Sequence, residues 1–170
     1  MIAENAVGLP WLSPVEAALE RHGGTGAYLV LFETYRPDLV RAMAHAMSMR
    51  FIDFREQHML PLGRDAARMP LARIGETVVA CDADGTAPDC RQTERQSGIV
   101  LHNVEALLAS RDSSARANWM AGFIALPTRV PVIVPLAVFT NEAPEASTRV
   151  ARIEASCVPQ EKLLLRLAGQ

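Results

Sequence analysis

A pattern typical of a buried strand passes directly into a helical pattern at residues 97–108, which are Ser97-Gly98-Ile99-Val100-Leu101-His102-Asn103-Val104-Glu105-Ala106-Leu107-Leu108. Three consecutive aliphatic residues, from Ile99 to Leu101, predict a short strand that is buried on both faces. Apolar residues then recur at helical spacing, at Val104, Leu107 and Leu108. The stretch therefore predicts an α/β fold in which a sheet strand leads straight into a helix.

Two polar residues, His102 and Asn103, stand at the junction between that strand and that helix. Ligands of open α/β sheets bind at the carboxyl ends of the strands. We therefore expect His102 and Asn103, with Glu105 in the first part of the helix, to lie at any functional site.

Length and composition limit the class of protein. A chain of 170 residues predicts one domain, here residues 1–170 with residues 1–12 as a poorly patterned lead-in. A net charge of −2 and 5% aromatic residues argue against nucleic acid as a direct ligand. No apolar run reaches the roughly 18 residues that a membrane helix needs, and the amino terminus has no signal-peptide pattern. We expect a cytoplasmic protein without a membrane partner.

Further strands and helices are predicted on both sides of the central stretch. Ser13-Pro14-Val15-Glu16 has the residues of a helix start, with Ser13 as the cap. Residues 56–70 show no clear pattern. The other predicted strands are 27–32, 50–55, 130–139 and 149–154, and the other predicted helices are 13–22, 39–47, 71–83, 113–126 and 158–167. Pro135 is awkward in the strand 130–139 because it cannot donate to a ladder.

Thr140-Asn141 follows the most apolar of these strands. With the strand-to-helix junction at 97–108, it makes residues 14–167 similar to the core of AAA+ and related P-loop ATPases, whose elements follow the same order. The resemblance implies an α/β three-layer sandwich with a mainly parallel central sheet of about five strands, a P-loop NTPase-like AAA+ core without its helical lid. It also makes Asn141 similar to the sensor-1 residue, which positions the hydrolytic water.

The catalytic motifs of that family are altered in this chain. An AAA+ strand like 99–101 ends in Asp-Glu, which hold magnesium and polarise the attacking water, whereas His102 and Asn103 stand there here. The Gly-rich loop ending in Gly-Lys-Ser/Thr is replaced by Phe32-Glu33-Thr34-Tyr35-Arg36-Pro37-Asp38, which has no glycine and no lysine. Glu33 would repel phosphate, and Arg36 is the candidate contact for one. We expect no bound cofactor, with ATP or ADP as the alternative.

These features favour a catalytically inactive pseudo-ATPase that acts as a scaffold or regulatory subunit through protein–protein contacts. Its partner would be a second copy or another protein such as an active ATPase. Arginines after the sensor-1 region of AAA+ rings cross the subunit boundary, which makes Arg149 and Arg152 interface candidates. The alternatives are a nucleotide-binding regulator, a weak NTPase with a rewired site, or another α/β enzyme in which His102 is the base and Glu105 orients it.

Metal sites are not expected from the sequence. The three cysteines, Cys81, Cys90 and Cys157, lack the close pair that zinc sites usually have, so joining them with His102 is not favoured. The acidic segment 82–89 matches only the first positions of a calcium loop.

Overall fold

The computed structural model describes residues 9–84 and 97–160 of the chain. Five strands of this part form one sheet: β1 (Gly26–Phe32), β2 (Arg50–Asp53), β3 (Ile99–His102), β4 (Pro131–Leu136) and β5 (Val150–Ile153). Their order across the sheet is β2-β3-β4-β1-β5, and every neighbouring pair is parallel. The carboxyl ends of all five strands therefore lie along the same edge of the sheet.

The central strands β1 and β4 are buried along their whole length. Successive side chains of a strand point to opposite faces. In β1, Ala27, Leu29 and Leu31 accordingly belong to one apolar core, while Tyr28, Val30 and Phe32 belong to the other. Both faces of the sheet must then be covered.

Helices cover the two faces. One face packs against α1 (Ser13–Arg21) and α2 (Pro37–Ala46), and the other packs against α3 (Ala72–Asp84), α4 (Glu105–Leu108) and α5 (Ser113–Ile124). The predicted α/β fold with a parallel sheet of about five strands is confirmed. The arrangement is compatible with a P-loop NTPase-like three-layer sandwich.

The end of β4 differs from the prediction. The strand stops at Leu136 instead of Phe139, and Thr140–Glu142 forms a short 3₁₀ turn. Pro135 is tolerated because β3 pairs with β4 only through Val132 and Ile133. Beyond that point β4 has lost its neighbour on the β3 side, so the missing N–H of Pro135 breaks no ladder bond there.

The lead-in and the first helix also differ from the prediction. Pro10–Leu12 forms a 3₁₀ turn, and Trp11 and Leu12 are buried against α1 and the sheet. The helix begins at Ser13 itself, and no side chain caps its amino end. Apolar packing of this turn against one face of the sheet therefore takes the place of the cap expected from Ser13.

Two further segments follow β2 and β5. The unpatterned region after β2 forms a π-helical turn at Arg55–Met59 and a 3₁₀ segment at Leu60–Arg68 that is interrupted at Gly63, whose backbone is not helical. Residues 158–160 of the predicted closing helix are not helical, and its remainder lies outside the described residues. No helix in the described ranges combines the length and apolar character required to cross a membrane.

Candidate functional site

A small recess opens at the carboxyl edge of the sheet, where β3 and β4 separate. It has room for about one water molecule. His102 and Glu105 come from β3 and α4, and Tyr35 and Arg36 come from the loop after β1. The full lining is Phe32, Tyr35, Arg36, Val40, His102, Glu105, Pro135, Leu136 and Ala137.

His102 is the buried polar residue of this edge. Only 4% of its surface is exposed, and its ring stacks on Tyr35 at 6.0 Å and leans on Phe51 at 5.5 Å between ring centres. The Tyr35 hydroxyl lies 3.5 Å from Nε2, whereas Nδ1 is buried without a hydrogen-bond partner in the described part of the chain. Burial lowers the pKa of His102 below its usual value, Asp53 opposes that shift and Arg41 adds to it. The imidazole is therefore neutral at neutral pH.

Because His102 is buried, we expect the protein to lose stability in acid. The unfolded chain binds a proton on His102 at higher pH than the folded chain does, so the free energy of unfolding should fall as pH drops from 6.5 through the lower folded pKa. His102→Gln should reduce this slope in denaturant melts between pH 4.5 and 7.5. The slope that remains would combine His58, whose pKa burial also lowers, with Glu105, whose raised pKa acts in the opposite direction. An identical slope in the variant would contradict the assignment to His102.

Asn103 joins three strands at the same edge. Its backbone is left-handed, with φ at 61°, a conformation that asparagine tolerates better than most residues. Its side-chain oxygen accepts a 3.0 Å hydrogen bond from the Tyr35 hydroxyl, and its Nδ2 donates to Asp53 at 2.7 Å. Asp53 also accepts the backbone N–H of Glu56 at 3.0 Å. This chain of hydrogen bonds, hereafter the Tyr35–Asn103–Asp53 chain, ties the loop after β1 to the ends of β2 and β3.

Glu105 does not pair with His102, as the general-base alternative required. Its Oε1 accepts the backbone N–H groups of Ala137 and Val138, each at 2.5 Å. Burial raises the pKa of the carboxyl above its usual value, and the two N–H groups partly offset that shift. Glu105 thus links α4 to the residues that leave β4.

The loop after β1, residues 33–36, is held by contacts within the protein. Arg36 makes a two-pronged ion pair with Asp38, at 2.9 and 2.7 Å, and donates to the carbonyl of Pro159 at 3.0 Å. Glu33 accepts the backbone N–H of Ala155 at 2.8 Å. The candidate phosphate contact is therefore engaged with the segment after β5 and with α2.

Asn141 is placed apart from this recess. It is exposed in the 3₁₀ turn five residues beyond the end of β4. Its neighbour Glu142 forms an ion pair with Arg116 at 2.6 Å, and the Arg116 guanidinium lies 4.0 Å from the Phe139 ring centre. Hydrogen bonding from Arg116 lowers the pKa of Glu142. The polar chemistry after β4 is thus an internal ion pair, with Asn141 on the surface beside it.

The two interface candidates have different surroundings. Arg149 donates to the carbonyl of Thr25 at 2.9 Å, and its guanidinium lies 5.0 Å from the ring centre of Tyr28. Arg152 is exposed on β5, which is an edge strand of the sheet. Arg149 therefore takes part in the fold, whereas Arg152 faces solvent.

The cysteines and acidic residues do not converge on a metal site. Cys81 is half-buried in α3, Cys157 is exposed, and Cys90 lies outside the described residues. Across residues 9–84 and 97–160, no three His, Cys, Asp or Glu side chains are grouped closely enough to hold a metal ion. Asp82 instead accepts the backbone N–H groups of Arg129 and Val130, at 3.2 to 3.3 Å, at the start of β4.

Sequence reasoning found His102, Asn103 and Glu105 but missed Tyr35 and Asp53. Asp53 lay inside the predicted strand 50–55, and only the observed end of β2 at Asp53 brings it to the carboxyl edge that all strands of the sheet share. No local signal marked Tyr35, whose partner Asn103 is 68 residues away.

No model of a known protein family matches the chain, and no curated protein matches it either.

Proposed function

We propose that the protein is a catalytically inactive, AAA+-like member of the P-loop class that acts as a scaffold or regulatory subunit through protein–protein contacts. The five-stranded parallel sheet with helices on both faces is compatible with such a core. The altered motifs at 33–38 and at 102–103 argue against turnover, because they supply neither a phosphate cradle nor a pair of carboxylates for magnesium.

The observation that carries the proposal is the filled carboxyl edge. The Tyr35–Asn103–Asp53 chain crosses the carboxyl edge of the sheet, which is where open α/β sheets bind ligands, and Arg36 is paired with Asp38. The recess beneath has room for about one water. A phosphate chain would have to displace Tyr35 and break several of these hydrogen bonds before it could bind. Because its own side chains occupy the carboxyl edge, the domain would use its outer faces for contacts with other proteins.

The second candidate is a nucleotide-binding regulator or a weak NTPase with a rewired site. One observation favours it: His102 is buried and neutral at the carboxyl edge, and its Nδ1 has no hydrogen-bond partner among the described residues. A neutral imidazole can accept a proton from an attacking water. This reading requires Tyr35 to swing away from His102.

The assembly of the purified protein tests the proposal. We expect self-association, or a stable complex with a partner ATPase, in light scattering and sedimentation. Arg152→Glu should weaken that assembly without changing the melting temperature, because Arg152 is exposed on an edge strand. Arg149→Glu is a poorer probe, since Arg149 holds Thr25 and Tyr28 within the monomer. Arg64→Glu is the matched control, because Arg64 is exposed in the segment Leu60–Arg68 and not on β5.

Two outcomes would contradict the proposal. One is a strict monomer at all concentrations that also retains no protein partner. The other is magnesium-dependent ATP hydrolysis above background that disappears in His102→Ala or Asn141→Ala. Tight ATP binding in calorimetry without hydrolysis would instead support the nucleotide-binding regulator.

A further inference from the structure

Two consecutive backbone N–H groups, those of Ala137 and Val138, converge on one oxygen just after β4 ends. That oxygen is Oε1 of Glu105, at 2.5 Å from each nitrogen. Successive N–H groups that point at one place form a concave site for anions. The bond crosses from α4 to the segment after β4, 32 and 33 residues along the chain.

The way β3 pairs with β4 explains why Ala137 and Val138 need Glu105 as a hydrogen-bond acceptor. β3 pairs with β4 only through Val132 and Ile133, although β4 continues along β1 as far as Leu136. The two strands therefore separate toward the carboxyl edge, and the N–H groups after Leu136 leave the ladder. An unpaired N–H group is costly where it is partly buried, as at Ala137, whereas Val138 is exposed. Glu105, three residues after the end of β3, supplies the missing acceptor.

We propose that the N–H groups of Ala137 and Val138 form an oxyanion site that the chain fills with its own Glu105 carboxylate. Glu105 is an internal ligand, which holds the separated ends of β3 and β4 together in place of a bound anion. The chemical class of ligand that the site accepts is a small carboxylate or phosphate. This inference is independent of the proposed scaffold role, since it concerns only the closed edge of the monomer.

Removing the internal ligand tests the site by chemical rescue. Glu105→Ala should melt at a lower temperature than the unchanged protein and regain part of the loss when sodium formate, acetate or phosphate is added at constant ionic strength. The rise should grow with the logarithm of the anion concentration above its Kd and reach about 4 °C at tenfold that Kd. The amide signals of Ala137 and Val138 should shift in the same titration. The unchanged protein should not respond, because its tethered carboxylate already occupies the site.

Glu33→Ala is the matched control. Glu33 also accepts a backbone N–H group, but only that of Ala155, so its removal frees no consecutive pair. A rise that is equal in Glu105→Ala, Glu33→Ala and the unchanged protein would be a general salt effect and would overturn the proposal. So would a folded Glu105→Ala variant that does not respond to any of the three anions.

A second measurement decides the matter if Glu105→Ala does not fold. In the unchanged protein, the amide protons of Ala137 and Val138 should follow the titration of the Glu105 carboxyl carbon in NMR spectra. That titration should lie above the usual glutamate range, because burial raises the pKa of Glu105. Amide signals that are indifferent to this titration would overturn the proposal, since the carboxylate would then not be bound to them.

Discussion

Val134→Asp is expected to leave the protein aggregated or unfolded. Val134 lies in β4 with 0% of its surface exposed, and its Cα faces that of Leu29 in β1 across the centre of the sheet. A carboxylate at this position would be buried without a partner, at a cost of several kcal/mol. Since a typical domain is stable by about 5–15 kcal/mol, one such change consumes much of the total.

Val79→Asp is the matched control for this substitution. Val79 lies on α3 with 62% of its surface exposed, so the same chemical change there should cost about 1 kcal/mol or less. Yield in the soluble fraction and thermal melting by circular dichroism compare the two variants. If Val134→Asp melted like Val79→Asp, β4 would not be a central strand and the strand order would be wrong.

The sequence predicted the layers of this fold well because its central strands are buried on both faces. Strands of that kind are continuous apolar runs, as at 27–32 and 99–101, and are hard to confuse with surface segments. The prediction failed at the end of β4 for the same reason. Residues 137–139 remain apolar after the strand has ended, and Phe139 is covered by Arg116 from α5. Hydrophobicity alone does not mark where hydrogen bonding to the neighbouring strand stops.

The candidate site was predictable only in its position. His102 and Asn103 were found because a polar pair after a buried strand marks the ligand edge of the sheet. Their contacts were not predictable, since Tyr35 and Asp53 are 68 and 50 residues from Asn103 along the chain. The interpretation of Glu105 depended on a nearby base, but its partners are backbone N–H groups more than 30 residues later. Side-chain and backbone partners of this kind follow from the strand order and not from local pattern.

Gly98→Ala is expected to destabilise the protein by about 2–3 kcal/mol, which lowers the melting temperature by about 5–10 °C. Gly98 immediately precedes β3, and its carbonyl accepts the backbone N–H of Arg50 at 2.8 Å beside β2. A Cβ on Gly98 would lie 2.5 Å from the carbonyl oxygen of Pro131 at the start of β4. Because that oxygen belongs to the backbone, the strands themselves would have to move apart.

Gly75→Ala is the same chemical change, but it is expected to stabilise the protein. Gly75 lies within α3, and a Cβ there would meet no atom within 4 Å. Alanine should therefore stabilise the helix by as much as about 1 kcal/mol, because it loses less backbone entropy than glycine on folding. Denaturant melts of the two variants and the unchanged protein should place them on opposite sides of it. Unchanged stability of Gly98→Ala would mean that β3 does not pass this close to β4. The recess between these strands at the carboxyl edge would then lose its structural basis.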